Sequence, residues 1–138
     1  RPNRQFNDIV LSSFSTPALL EAKARFPEVP RGYLLHQMWD GDVADPKMPE
    51  FSRRLREIQP ATVNLNADLV QAPGALDRFQ TTIRREMGRD LPILCYTVND
   101  VGQAGRLFSQ GVHGIFTDDP RTMLKANVLA KKAAFRPF

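Results

Sequence analysis

Five short apolar runs punctuate the chain: Ile9-Val10-Leu11, Gly32-Tyr33-Leu34-Leu35, Ala61-Thr62-Val63, Ile93-Leu94-Cys95-Tyr96-Thr97-Val98 and Gly114-Ile115-Phe116-Thr117. Each is continuous rather than alternating, which is how a strand covered on both faces reads. Their spacing matches one strand, one helix and the loops that join them.

The segments between the runs carry helix punctuation. Ser15-Thr16-Pro17 reads as a hydroxyl N-cap followed by a proline at the first helical position, where its missing N–H costs nothing. Leu19, Leu20, Ala22 and Phe26 can then face the sheet before Pro27 ends the helix. A second helix is expected from about Pro49, with Phe51, Leu55 and Ile58 inward and Arg53, Arg54 and Arg56 outward. A third starts near Gly74, carries Leu76, Phe79, Ile83 and Met87 as its stripe, and stops at Gly88. A fourth runs from an Asp100 cap to Gly111 and buries Ala104, Leu107 and Phe108. A fifth repeats the device, with Asp119 as cap, Pro120 as opener and Met123, Leu124 and Val128 inward. Lys125, Lys131 and Lys132 complement its C-terminal dipole.

Strict alternation of strand and helix implies a parallel sheet with helical crossovers. The pattern leaves two architectures open, a doubly wound sheet and part of a (β/α)8 barrel. Gly41 to Met48 reads as a floppy loop, and Ala133 to Phe138 as a loose tail.

Composition narrows the class of protein without naming its task. With 138 residues, 42% apolar and 25% charged, the chain is long enough for one domain with a real core. It contains no apolar run long enough to cross a bilayer, and its polar start shows no secretory signal. The net charge of +4 is scattered, the densest basic clusters being Arg53-Arg54-Leu55-Arg56 and Lys131-Lys132. These are too short for a nucleic-acid surface, and basic–aromatic interleaving is missing. The single cysteine, Cys95, sits in an apolar strand and reads as a buried, inert thiol, which permits a reducing compartment.

Ligands of parallel α/β folds bind at the C-terminal ends of strands. The rim residues are therefore Ser12-Ser13-Phe14, His36-Gln37-Met38-Trp39, Asn64-Leu65-Asn66, Tyr96-Thr97-Val98-Asn99-Asp100 and Thr117-Asp118-Asp119-Pro120. This polar and aromatic rim suits a small polyol or a phosphate. It lacks converging metal ligands: Asp118 and Asp119 are adjacent and diverge on a strand. Asp40, Asp42 and Asp45 lack the spacing of a calcium loop and read as loop solubility. His36 is the one histidine able to reach the rim, although a non-catalytic polar role is favoured; His113 lies at the opposite end of its strand and reads as structural. No nucleophile elbow, phosphate loop or dinucleotide fingerprint is present.

Five segments together resemble the C-terminal half of bacterial, cytoplasmic-type glycerophosphodiester phosphodiesterases. They are Val10-Leu11-Ser12-Ser13-Phe14, Pro30-Arg31-Gly32-Tyr33-Leu34-Leu35, Asn64-Leu65-Asn66 with Leu69-Val70, Tyr96-Thr97-Val98-Asn99-Asp100, and Gly111 through Pro120. The resemblance covers roughly residues 7 to 124.

This likeness implies a partial (β/α)8 barrel of about five parallel strands in which residues 1–138 form an incomplete domain without its N-terminal strands. It implies hydrolysis of glycerophosphodiesters to glycerol 3-phosphate and an alcohol, assisted by a divalent cation, calcium or magnesium, in the complete enzyme. The family's catalytic histidines and acidic metal ligands lie in motifs that do not occur in this chain. No catalytic residue and no metal ligand is therefore carried over. Phe14 and Tyr96 match positions that flank the glycerol moiety; Asn64 matches a position often held by His; His113 replaces an Asp. Further expectations are an inactive isolated chain, a cytoplasmic location, no nucleic acid and no membrane insertion. Open sheet edges imply self-association or a complementary N-terminal half. The alternative is a non-catalytic ligand-binding or oligomerisation module built from the same barrel.

Overall fold

The computed structural model describes residues 8–128. Its elements follow one another as strand and helix throughout: β1 (Leu11–Ser13), α1 (Thr16–Arg25), β2 (Arg31–Leu35), α2 (Asp40–Ala44), α3 (Pro49–Ile58), β3 (Thr62–Asn66), a 3-10 turn (Ala67–Val70), α4 (Ala75–Met87), β4 (Ile93–Tyr96), α5 (Val101–Gln110), β5 (Gly114–Ile115) and α6 (Pro120–Lys125). All strand pairs are parallel, and the spatial order is β1-β2-β3-β4-β5. The sheet thus winds in one direction without reversal. This removes the doubly wound alternative, in which the order must reverse at a central crevice.

The caps Asp100 and Asp119 are in place, while α1 starts one residue earlier than read, at Thr16, with Ser15 as its cap and Pro17 as its second residue. Ser15 Oγ accepts from Ala18 N at 3.2 Å, Asp100 Oδ2 from Gln103 N at 2.7 Å, and Asp119 Oδ1 from Thr122 N at 3.1 Å. Gly88 closes α4 at φ 70°, a left-handed conformation that a side chain would resist.

Residues paired in register share a face of the sheet. Tyr33, Leu35, Val63, Leu65, Ile93 and Cys95 face the helices and are buried. Tyr33 stacks on Phe51 of α3 at 6.3 Å, and Phe51 meets Phe79 of α4 edge-on at 5.2 Å. The other face carries two rows. Ser12, Gly32 and Thr62 form the deeper one; Leu34, Asn64, Leu94 and Gly114 form the next.

Gly32 is required by its neighbours. A Cβ there would lie 2.6 Å from Ser12 Oγ, 3.0 Å from Asn64 Nδ2 and 3.1 Å from Thr62 Oγ1. Gly32→Ala is expected to destabilise the protein by about 1 to 3 kcal/mol, since a packed polar row must shift to admit the methyl group. Urea denaturation of the two proteins side by side measures this.

Several local expectations are corrected. The first strand begins at Leu11, not Ile9, because its ladder starts where Leu11 N reaches Pro30 O; Ile9 and Val10 remain exposed. The third strand extends to Asn66, so Asn64 and Leu65 lie within it rather than beyond it. Leu65 drives this, filling the helix-facing core while the asparagines alternate to the other face. The fourth and fifth strands stop short, at Tyr96 and Ile115. Of the apolar residues of α1, Leu19 alone is buried; Phe26 is exposed, as is Leu124 of α6.

The segment Gly41 to Met48 is not a floppy loop. Its first half is helix α2, and Asp42 is buried with both carboxylate oxygens accepting from the N-terminus of α3, Oδ1 from Glu50 N and Oδ2 from Phe51 N, each at 2.8 Å. Asp42 is therefore a helix cap rather than a solubilising residue. Lys131, Lys132 and the tail from Ala133 lie outside the described residues.

Candidate functional site

The C-terminal ends of β1, β2, β3 and β4 bring Phe14, His36, Asn66 and Tyr96 together. Phe14, just past β1, meets His36 edge-on at 6.3 Å and Tyr96 edge-on at 5.9 Å between ring centroids. Phe14 is 57% exposed, a large apolar ring held at the rim without a covering layer. Tyr96 is fixed from below, its hydroxyl donating to Leu35 O at 2.8 Å. Partial burial raises the Tyr96 phenol above its ordinary range, so it stays a neutral donor.

Asn66 orients the imidazole. Its Oδ1 accepts from Asp68 N at 3.1 Å, which turns Nδ2 toward His36 Nδ1 at 3.3 Å. A donor facing Nδ1 leaves the imidazole proton on Nε2 in the neutral ring. Asn64 lies one row deeper on the same face as Asn66, buried, and its Oδ1 has no hydrogen-bond partner. Phe14 and Tyr96 are thus brought together at the rim, while Asn64 is placed beneath it.

A cavity of about 560 Å³ opens beside this cluster, at the ends of β1 and β2. Phe14, His36, Trp39 and Arg54 are among its walls. The Arg54 guanidinium lies over the Trp39 ring at 5.5 Å, and its Nε donates to Glu50 Oε1 at 2.8 Å. Hydrogen bonds from Arg53 and Arg54 hold the Glu50 carboxyl below the usual carboxylate range.

On the far side of the rim, Asn99 latches the end of β5 to the loop after β4. Its Oδ1 accepts from Thr117 Oγ1 and Asp118 N, and its Nδ2 donates to Asp118 Oδ2 at 2.9 Å. Asn66 and Asn99 were visible in the sequence only as rim polar residues. The alternation of Asn64, Leu65 and Asn66 could have placed Asn66 on the interior face, but nothing local marks Asn99 as a latch.

The described residues do not fit the divalent cation that the resemblance implies. Among them no three His, Cys, Asp or Glu side chains converge. Two candidate carboxylates are already spent, Asp42 on α3 and Asp119 on the N-terminus of α6, while Asp118 is held by Asn99.

His113 has the structural place read for it: at the N-terminal end of β5, its Nδ1 accepts from Ile93 N at 3.1 Å. Cys95 is buried, and desolvation pushes its thiol up to about 12. A thiol reagent at pH 8 is expected to label Cys95 only in the denatured protein; fast labelling of the native protein would show that the strand is open to solvent. Among the described residues no helix is long and apolar enough to cross a membrane.

Comparison with known proteins bears on what this arrangement belongs to. No curated protein matches the chain. Among solved structures, a phosphodiesterase from Oleispira antarctica in complex with the product sn-glycerol-3-phosphate is 24% identical, with a TM-score of 0.63 over 85% of this chain and 40% of its own. A glycerophosphoryl diester phosphodiesterase assigned in Silicibacter pomeroyi is 20% identical, with a TM-score of 0.63 over 94% of this chain and 41% of its own. A glycerophosphodiester phosphodiesterase from Thermotoga maritima is 17% identical, with a TM-score of 0.64 over 90% of this chain and 49% of its own. At these identities the likeness shows the fold, five consecutive staves of a (β/α)8 barrel, and the chain spans less than half the length of each structure. The model of the glycerophosphoryl diester phosphodiesterase family matches residues 4–122, most of the sequence, and the chain belongs to that family.

Proposed function

We propose that this chain supplies part of the substrate-pocket wall of a barrel that hydrolyses glycerophosphodiesters to glycerol 3-phosphate and an alcohol. The observation that carries the reading is the rim itself. Phe14 and Tyr96 form an aromatic corner at the C-terminal ends of parallel strands, inside the span matched by the family. Phe14 and Tyr96 flank the glycerol carbons, and Asn64 offers its unpaired Oδ1 to a ligand hydroxyl from the layer below. In this reading the catalytic histidines and the calcium or magnesium ligands of the reaction lie in family motifs that do not occur in this sequence. The protein acts on a small soluble substrate in the cytoplasm, without nucleic acid or membrane insertion.

The 138-residue chain is expected to show no glycerophosphocholine hydrolysis with calcium or magnesium, and to gain it when the barrel is completed by upstream staves of a relative. Robust turnover by the chain alone would overturn the division of labour. A second reading, a non-catalytic ligand-binding or oligomerisation module of the same barrel, draws on the exposed apolar side chains beside the outer strands β1 and β5. It predicts glycerol 3-phosphate binding with no turnover even in the completed barrel.

Residues 1–138 are an incomplete domain in this reading. The outer strands β1 and β5 carry exposed apolar side chains nearby, Val10, Leu11 and Phe14 on one side and Phe116 on the other. Such edges offer both unpaired backbone groups and apolar surface. The isolated chain is expected to self-associate or to pair with a complementary half; light scattering that finds a monodisperse monomer at high dilution speaks against it.

A further inference from the structure

We propose that the inner face of the sheet holds one ordered water molecule over Gly32, bound by Ser12 Oγ, Thr62 Oγ1 and Asn64 Nδ2. These side chains come from β1 and β3, on either side of β2, and lean toward one point. A Cβ on Gly32 would lie 2.6 Å from Ser12 Oγ, 3.0 Å from Asn64 Nδ2 and 3.1 Å from Thr62 Oγ1. Glycine supplies no side chain there, so the three polar atoms face a notch. They do not satisfy one another: among the described residues no hydrogen bond joins Ser12, Thr62 and Asn64. Asn64 is 1% exposed and its Oδ1 has no partner; Thr62 Oγ1 is likewise buried without one. Buried polar atoms that no protein group reaches are ordinarily met by water.

The chemistry of the notch selects water over other occupants. Its walls are two hydroxyls, which donate or accept, and one amide N–H, which only donates. A water accepts from Asn64 Nδ2 and donates to the hydroxyl oxygens, and about three partners is the usual number for a buried water. Neither inner row of the sheet carries a charged side chain, Ser12, Gly32 and Thr62 forming one and Leu34, Asn64, Leu94 and Gly114 the other, so nothing there compensates a bare ion. An apolar group would leave all three polar atoms unpaired. The bridge has a consequence one row up. A water on Nδ2 fixes the Asn64 amide and leaves Oδ1 as the atom offered to a ligand hydroxyl. That last step rests on the proposed function; the water site itself does not.

Crystal structures of the full chain, as wild type, Thr62→Val, Thr62→Ser and Gly32→Ala, test the site. In the wild type one water is expected at about 2.6 to 3.2 Å from Ser12 Oγ, Thr62 Oγ1 and Asn64 Nδ2. Thr62→Val keeps the shape of the side chain, removes its hydroxyl and is expected to lose the water. Thr62→Ser restores the hydroxyl and should keep it. Gly32→Ala places a methyl group in the notch and should expel it. In solution, the Asn64 side-chain amide protons are expected to show a water cross-peak in NMR that Thr62→Val abolishes. A wild-type notch that is dry, filled by a side chain of a second copy, or closed by direct hydrogen bonds among the three residues overturns the proposal. So does a water that persists in both Thr62→Val and Gly32→Ala. The hydrolysis reading fails separately, through the completed-barrel assay.

Discussion

Replacing Phe51 with alanine is expected to cost about 3 to 5 kcal/mol, the range for truncating a fully buried phenylalanine. Phe51 is 0% exposed and holds three elements at once. It stacks on Tyr33 of β2, meets Phe79 of α4 edge-on, and sits in the first turn of α3. A domain of this size has only about 5 to 15 kcal/mol of net stability, so the loss is a large share. The consequence extends beyond the core. Strand β2 carries Leu35 O, which holds the Tyr96 hydroxyl, and runs directly into His36. Loosening α3 from β2 therefore loosens the rim. Trp39 is the single tryptophan and lies on that rim, so urea unfolding followed by its fluorescence reads both effects. A midpoint unchanged from wild type would show that the aromatic stack contributes little.

Arg31→Met is the second large effect, expected at about 3 kcal/mol, because buried carbonyls lose a charged donor. The Arg31 side chain is buried at the start of β2 without a carboxylate partner among the described hydrogen bonds and ion pairs. Nε donates to Ile58 O at 3.0 Å and Nη2 to Gln59 O at 2.9 Å; Nη1 reaches Pro27 O and Val29 O, each at 3.4 Å. The guanidinium thus ties the last turn of α3 to the turn before β2, and its positive charge faces the negative end of the α3 dipole. Burial lowers the Arg31 pKa from its ordinary value without bringing deprotonation into a working range. Methionine matches the length but gives the carbonyls nothing. Lysine keeps the charge but lacks the planar fork that spans both carbonyl sets, so Arg31→Lys is expected to recover only part of the loss. Equal stability of the methionine and wild-type proteins in urea would exclude the clamp.

Much of the fold was legible along the chain because it rests on local chemistry. Ser15, Asp100 and Asp119 are caps whose side chains bond to backbone N–H groups three residues on, a distance set by the sequence itself. Gly88 and Gly111 end α4 and α5 for the same reason, the left-handed turn being a property of one residue. Continuous apolar runs predicted buried parallel strands, and the alternation of strand and helix predicted their crossovers. The aromatic corner was also legible: a residue just past a strand in a parallel sheet falls on the functional rim, which placed Phe14, His36 and Tyr96 there.

What lay out of reach depended on partners far apart in sequence. Asp42 looks like any loop aspartate until α3 folds back over it and offers two free N–H groups. Nothing local marks Arg31 as a buried cation, because the α3 carbonyls that close around it come from residues 58 and 59. The same holds for the cavity wall. Thr16 follows an N-cap, and its burial arises only because the end of β2 and helix α3 pack beside α1. The order of the strands, running one way without reversal, was likewise a tertiary outcome, since apolar periodicity specifies that strands pair and not on which side each new one is added. By itself the sequence determined the elements, their caps and the residues that reach the rim, because those follow from dihedral preference and short-range hydrogen bonding. The tertiary structure alone decided which polar groups are buried and what they hold, because the environment that makes a buried charge or hydroxyl meaningful comes from other parts of the chain.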